Sequence, residues 1–433
     1  MVRSNTTTIS KDKKIQQLKK EIRELQNANQ EIHYILDNKI KASKTYRVWQ
    51  FYNKIKKGLR KLIYVIFLVC FIPIYYLIII AFFVIYKVVV FFTIPKKREL
   101  TLTEEEKRLD GVSFIIPTWN KKTMVIECVR KLDAILSNEG LQVKKEVIVY
   151  DNGSKDSTIE GLKKLTTTQD LTFIRSETNL GFAKAVNKAV ENAKFNYIYL
   201  LNNDMIPQEN FFNSLIEFVN DKLSQGVHLY GVASQIFFFD KTKRREESGK
   251  TYIKPFLGFM YAAHFILEEN LKNPSITAYV GGGSSLINKH LFLKLGGLDA
   301  ESYKPLYVED LDLSFNAWKK GYSSFFLPSS QIIHHHRSSS KLLSRDPSYY
   351  MYKNFLVFML KNVNTSSLFI KNLLMYPVLM LSSFKYIRYA LEITNNLIPV
   401  LRSKIRMSSY KDKYSDKELL NFITFENKFH SHD

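Results

Sequence analysis

The chain has 433 residues, 45% of them hydrophobic and 14% aromatic, with 63 Lys or Arg against 41 Asp or Glu and a formal net charge of +22. So large an apolar and aromatic fraction excludes a disordered or low-complexity chain. Cys70 and Cys128 are the only cysteines, which excludes a disulfide framework or a zinc cluster built on cysteine pairs and points to a reducing compartment for the folded part.

Residues 1–61 carry 16 Lys or Arg against 5 Asp or Glu. A basic arm of this kind suits nucleic acid or an anionic membrane surface, and the apolar segment after it decides between them. Within the arm, Ile15, Leu18, Ile22, Leu25, Asn29, Ile32 and Leu36 fall on alternating three- and four-residue steps. With Asn29 at an a position this is the seam of a parallel dimer through residues 11–40. Lys14 and Lys19 oppose such a seam, and an isolated amphipathic helix lying on lipid fits the same spacing.

Leu62 to Tyr86 is a run of 25 residues without a charge. At about 1.5 Å per residue it matches a hydrocarbon core of about 30 Å, so 62–94 is expected to be a membrane segment. It begins too late for a cleavable signal peptide, and no small-residue cleavage site comes after it. The arm is therefore expected on lipid and not on nucleic acid. Lys54, Lys56, Lys57, Arg60 and Lys61 flank one end, and Lys87, Lys96, Lys97 and Arg98 the other, so charge does not choose the topology. A single tilted span ending at Lys87 and a re-entrant hairpin bending at Pro73 both fit.

After a linker at 95–110, short β-rich runs alternate with helical stretches: VSFIIP, VKKEVIVYD, LTFIRS and YIYLLNND. That alternation predicts an α/β domain over 111–345 with a mostly parallel sheet, whose ligands bind beyond the carboxyl ends of the strands. From 346 to 433 the chain turns helical and apolar, with Lys371 and Pro377 interrupting its longest run, so membrane-associated amphipathic helices are expected there.

The expected strand ends are polar. The first closes in Pro117-Thr118-Trp119-Asn120 and the second in Asp151-Asn152-Gly153-Ser154, a sequence that on its own is also a good Asx turn. Asn179-Leu180-Gly181-Phe182-Ala183 leads into a helix carrying Asn187, and the fourth strand stops at Asn202-Asn203-Asp204. A carboxylate at that edge suits a hard divalent ion, Mg²⁺ or Mn²⁺, bridging a diphosphate. Further on stand Gly296-Gly297-Leu298-Asp299, then Glu309-Asp310-Leu311-Asp312, and Pro328 with His334-His335-His336-Arg337 beyond it. Adjacent carboxylates raise each other's pKa and leave a base poised for proton transfer.

In this order, P-T-W-N, D-N-G-S, N-x-G-F-A, L-L-N-N-D, G-G-L-D, E-D-L-D-L and P-x5-H resemble the family two glycosyltransferases of the GT-A fold, nearest their bacterial rhamnosyltransferase-like branch. The resemblance covers Val112 to Ser340 and implies inverting transfer of a sugar, rhamnose or another hexose, from a nucleotide diphosphate sugar to a lipid-linked or polysaccharide acceptor. Pro117, Thr118, Asn120, Asp151 and Asn152 would hold the nucleoside end. Asn179, Gly181, Phe182, Ala183, Asn187 and Asn203 would line the nucleotide-sugar cleft. Asp204 would bind the metal with His334, and Asp310 would be the catalytic base. The expected location is the cytoplasmic membrane of a bacterium, with the catalytic domain facing the cytoplasm.

Two positions depart from the pattern. Asn202 stands where a D-x-D motif has its first carboxylate, and Asn316 stands where many relatives carry Arg, with Arg337 as a compensating charge. A processive polysaccharide synthase shares these motifs, but the Q-x-x-R-W stretch it would carry after E-D is absent. A catalytically inactive, membrane-anchored scaffold of a glycan-assembly complex is the other reading, and intact Asp204, Asp310 and His334 argue against it.

Overall fold

The computed structural model describes residues 5–138, 143–239, 247–256, 259–267, 271–335 and 346–423. By packing, the chain divides into two units, Met1–Ile74 and Tyr75–Asp433.

The first unit holds α1 (Asn5–Ala42) and the start of α2 (Lys44–Thr93). Leu18, Ile22, Leu25 and Ile32 are exposed along α1. Helix α2 runs unbroken through Pro73. Among the described residues, Gln50–Thr93 is the one stretch of helix long and apolar enough to cross a membrane.

In the second unit, α3 (Glu104–Lys107) opens with a capping box between Thr103 and Glu106. Next come β1 (Gly111–Thr118), α4 (Lys122–Asn138), β2 (Lys144–Asp151), α5 (Thr158–Leu162), β3 (Asp170–Arg175), α6 (Phe182–Val190), β4 (Tyr197–Leu201), β5 (Met205–Pro207), α7 (Phe211–Ser224) and β6 (Leu229–Phe238). The chain continues through β7 (Thr251–Phe256), β8 (Phe259–His264), β9 (Ser275–Ile276), β10 (Ser284–Asn288), α8 (Lys289–Lys294), α9 (Glu309–Lys319) and β11 (Ser323–His334). It closes with α10 (Pro347–Asn362), α11 (Ser366–Ser382), α12 (Phe384–Thr394), α13 (Leu397–Ser408) and α14 (Asp416–Ile423).

The 9-stranded sheet has the order β3-β2-β1-β4-β10-β6-β11-β5, with β9 paired to β11. Strands β1, β2, β3, β4, β6 and β11 run one way and β5, β9 and β10 the other, so the sheet is mixed and mostly parallel. Both faces are covered. Val112, Phe114 and Ile116 of β1 pack under α4 and α7 with Val129, Leu132, Phe211 and Leu215. Ile115 points the other way, into Val186, Ala189, Phe292 and Leu313 of α6, α8 and α9. Burial on both faces explains the near-continuous apolar runs of the sequence. Strands β7 and β8 form a separate hairpin.

Helices α10 to α14, in the region expected to be membrane-associated, pack into the same unit as the sheet. Lys361 of α10 is buried between Asp299 and Asp312 at 2.6 and 2.7 Å. Lys319 of α9 meets Asp416 of α14 at 2.7 Å. The second half of α2 belongs to the unit too: Tyr75, Ile79, Phe82 and Tyr86 are buried on one face, Tyr75 stacks on Tyr376 of α11, and Tyr86 shares a hydrogen bond of 2.7 Å with Ser408. Its other face, including Leu77, Ile80, Val84 and Phe91, stays exposed, as do Ile370, Leu374, Val378 and Leu381 of α11.

Candidate active site

The polar ends of β1, β2 and β4 are knotted together by hydrogen bonds. Thr118 and Asp151 are paired in register, and the Asn203 amide donates to Thr118 Oγ1 at 2.7 Å. The Asn120 N–H donates to Ser154 Oγ at 2.8 Å, and Lys155 N–H returns a bond to Asn120 Oδ1 at 2.8 Å. The Asn152 amide donates to Asn179 Oδ1 at 2.9 Å and to Gly181 O at 3.3 Å, while Leu180 N–H donates to Asn152 Oδ1 at 2.8 Å. The P-T-W-N, D-N-G-S and N-x-G-F-A motifs are therefore one bonded assembly. Asp151 is buried, its Oδ1 accepting from Ser154 N–H at 3.0 Å and its Oδ2 having no hydrogen-bond partner, with Arg175 Nε 3.5 Å away. A buried acceptor in that condition suits a ligand N–H.

Gly181 is the left-handed entry to α6, with φ +83° and open space where a Cβ would stand. Phe182 is partly exposed and Ala183 is packed in the core beneath it. Pro117 is partly exposed at the end of β1. Asn187, expected in the nucleotide-sugar cleft, does not present its amide there. Its Nδ2 donates to Leu298 O at 2.8 Å and its Oδ1 accepts from Leu298 N–H at 2.9 Å, so it pins the G-G-L-D loop to α6.

The run Gly281-Gly282-Gly283 joins the two acidic motifs, a link absent from the sequence reading although three glycines before a strand are a signal of close backbone approach. Gly283 O accepts from Asn202 N–H at 2.9 Å, and Gly282 N–H donates to Asp310 Oδ2 at 3.1 Å. A Cβ on Gly283 would stand 2.4 Å from the Asn202 amide, and one on Gly282 would stand 3.2 Å from the Phe182 ring. Asp310 Oδ1 accepts from Leu311 N–H at 2.8 Å. Burial raises the Asp310 pKa, and these two N–H donors oppose the rise. Its neighbour Glu309 is pushed up to about 8 by burial and then by the charge of Asp310, and its Oε2 has no hydrogen-bond partner. The two adjacent buried carboxyls raise each other and take up a proton as a pair.

On the far side of Asn202 lies Asp204, whose Oδ1 is 3.5 Å from His334 Nε2. Glu247 Oε2 holds His334 Nδ1 at 3.0 Å, which fixes the ring with Nε2 toward Asp204. Burial lowers the His334 pKa, but Asp204 and Glu247 outweigh it and raise it to about 9. Of the neighbouring histidines, His335 stacks on Phe239 at 4.3 Å, and His336 lies outside the described residues with Arg337. Asn316 is buried and bonded to Asn362 Oδ1 at 3.0 Å, so its amide faces α10. Residues 241–280, without a motif in the sequence, supply Glu247, His264 and Tyr279. The His264 Nδ1 lies 3.1 Å from Ser248 O, its Nε2 lies 3.5 Å from Tyr279 Oη, and its charge acts on Asp310. Among the described residues no group of three or more His, Cys, Asp or Glu is placed to hold a metal by itself. Asp204 and His334 fit an ion completed by diphosphate oxygens.

The mixed sheet, with its polar strand ends and two acidic motifs at one edge, is a GT-A fold of the nucleotide-sugar-binding class. Residues 113–293 match the family described as glycosyl transferase family 2. Asp310 and His334 lie beyond the matched residues. The chain is 30% identical over 112 residues to the poly-beta-1,6-N-acetyl-D-glucosamine synthase of Staphylococcus epidermidis, a match covering 26% of each chain, so it spans about a quarter of that relative. Among solved structures it is similar to GalNAc-T7 with UDP, GalNAc and Mn²⁺ (16% identity, 60% of this chain and 51% of that one, TM-score 0.45). It is also similar to S. aureus TarS 1-349 in complex with UDP-GlcNAc (16% identity, 62% and 71%, TM-score 0.43).

Proposed function

We propose that this chain is a membrane-anchored inverting glycosyltransferase that moves a sugar from a nucleoside diphosphate sugar to a glycan acceptor. The observation that carries the reading is the Gly281–Gly283 turn, which ties Asp310 to the strand end bearing Asp204. Asp310, its carboxylate held by the Gly282 and Leu311 N–H groups, accepts the acceptor hydroxyl proton as that oxygen attacks the anomeric carbon. A single displacement from the face opposite the leaving diphosphate inverts the centre. Asp204 and His334 would hold a divalent cation, Mg²⁺ or Mn²⁺, which supplies charge neutralisation at the diphosphate. Asp151, Asn152 and Asn120 form the nucleoside end, with Asp151 Oδ2, which lies 3.5 Å from Arg175 Nε, as its acceptor.

The likeness to a poly-beta-1,6-N-acetyl-D-glucosamine synthase makes a nucleoside diphosphate N-acetylglucosamine the first donor to try, ahead of the deoxyhexose that the motif order suggests. The exposed apolar faces of α2 and α11 support a membrane location and an acceptor carried on lipid or on an envelope polysaccharide, with the site on the cytoplasmic side where such donors are made.

The test is release of nucleoside diphosphate from a panel of donors by the detergent-purified chain, with and without Mn²⁺. Turnover is expected with one donor, dependent on metal, and about 10³-fold lower in Asp310→Asn with donor binding retained. Failure of every donor to bind would sink the enzyme reading and favour a scaffold.

A further inference from the structure

The base stands two residues after a turn that ordinary side chains avoid. Tyr307 and Val308 both have left-handed backbone, at φ 77° and 80°. A β-branched residue there brings Cβ against the following carbonyl, so the conformation lasts only where the surroundings impose it. Val308 is the N-cap residue of α9 and makes no side-chain cap.

What imposes it comes from α10, outside the matched family segment. Asn354 is 0% exposed, and its Nδ2 faces three carbonyls of this turn: Tyr303 O at 2.9 Å, Leu306 O at 2.9 Å and Tyr307 O at 3.0 Å. Three acceptors around one terminal atom also fix which way the amide points. The neighbouring Lys353 ammonium donates to Lys304 O in the same turn. One turn of α9 further on, Asn362 Nδ2 donates to Asp312 Oδ1 at 2.6 Å and Lys361 Nζ to Asp312 Oδ2 at 2.7 Å. Helix α10 thus grips the base helix on both sides of Asp310.

We propose that Asn354 is a positioning residue for the reaction: its amide holds the Tyr303–Val308 turn in its left-handed form, and that form aims the Asp310 carboxylate at the Gly282 N–H edge of the cleft. The proposal rests on the reading of Asp310 as the base. Without the amide, whose two N–H groups are shared among these three carbonyls, the carbonyls lose that donor and the turn relaxes toward ordinary backbone, carrying Asp310 off its station. Donor contacts made by β1, β2 and α6 are untouched.

The full chain in detergent tests this with a double-mutant cycle on nucleoside diphosphate release, using the donor that the parent turns over. Asn354→Ala is expected to lower kcat about 100-fold while the donor KM stays within about threefold. In a Val308→Gly background, where glycine takes the left-handed form without strain, the same substitution is expected to cost less than about 10-fold. Equal costs in both backgrounds, or a donor KM that rises as far as kcat falls, would overturn the latch and leave Asn354 a packing residue. If Asn354→Ala does not accumulate folded, Asn354→Ser, which keeps one donor, enters the same cycle. Asp310→Asn separates the two ideas: parent-like turnover in that variant overturns the base reading, whereas an inactive Asp310→Asn with equal Asn354 costs overturns the latch alone.

Discussion

At the scale of single residues, the Asp204–His334 pair decides how the site responds to pH. His334 has its pKa raised to about 9, against about 6.5 in an unfolded chain. Its protonated contact therefore stabilises the metal-free fold fully below about pH 6.5, and that stabilisation is lost as pH rises to about 9. On the proposed reading, a divalent cation bound at His334 would displace the same proton from Nε2. Mn²⁺ affinity, measured by titration calorimetry on the full chain, is expected to rise about tenfold per pH unit from 7 toward 9 and then level off. His334→Gln should abolish that slope, and a slope unchanged in the variant would place the cation elsewhere. Glu247, which fixes the ring, belongs to no motif, because its role depends on where 241–250 folds and not on its own spacing.

At the scale of elements, the site is an edge where loops from distant parts of the chain are bonded to one another. Gly153 is the tightest joint: its φ is +79°, and a Cβ there would lie 2.6 Å from the Thr178 carbonyl carbon. Backbone cannot yield as a flexible side chain does. Gly153→Ala is therefore expected to destabilise the domain by about 1–3 kcal/mol and to raise the donor KM, because it pushes Thr178–Asn179 away from Asn152. Thermal melts and donor titrations check this, and an unchanged KM in a folded variant would separate the turn from the nucleotide site. Helix α1 poses a different element-scale question: its apolar stripe is exposed, as both a dimer seam and a lipid-bound helix require.

At the scale of the whole molecule, the glycosyltransferase sheet does not end where its motifs end. Removal of α10 to α14 leaves Asp299 and Asp312 buried without Lys361, a loss of about 3–5 kcal/mol for a broken buried pair against a typical total of about 5–15 kcal/mol. A fragment of residues 75–345 is accordingly expected to aggregate or melt at low temperature, while 75–423 folds in detergent. Soluble, cooperative unfolding of the shorter fragment would contradict this. The second half of α2 is also part of that body through Tyr75, Phe82 and Tyr86, so this apolar helix is a packed element of the domain.

The amino-acid order by itself determined the apolar span, the alternation of strands and helices, and the identity of the residues at the strand ends, because these rest on local periodicity and on residue types that no packing changes. Tertiary structure placed His334, the histidine the resemblance had named, against Asp204 and turned the adjacent His335 onto Phe239, since a strand turns successive side chains to opposite faces. It also turned Asn187 to a loop it pins, and it recruited Glu247, His264 and Asn354 from segments without a motif. Asn316 was legible as a departure but not as a solution, because its partner Asn362 lies 46 residues away and meets it only when α10 folds back on α9.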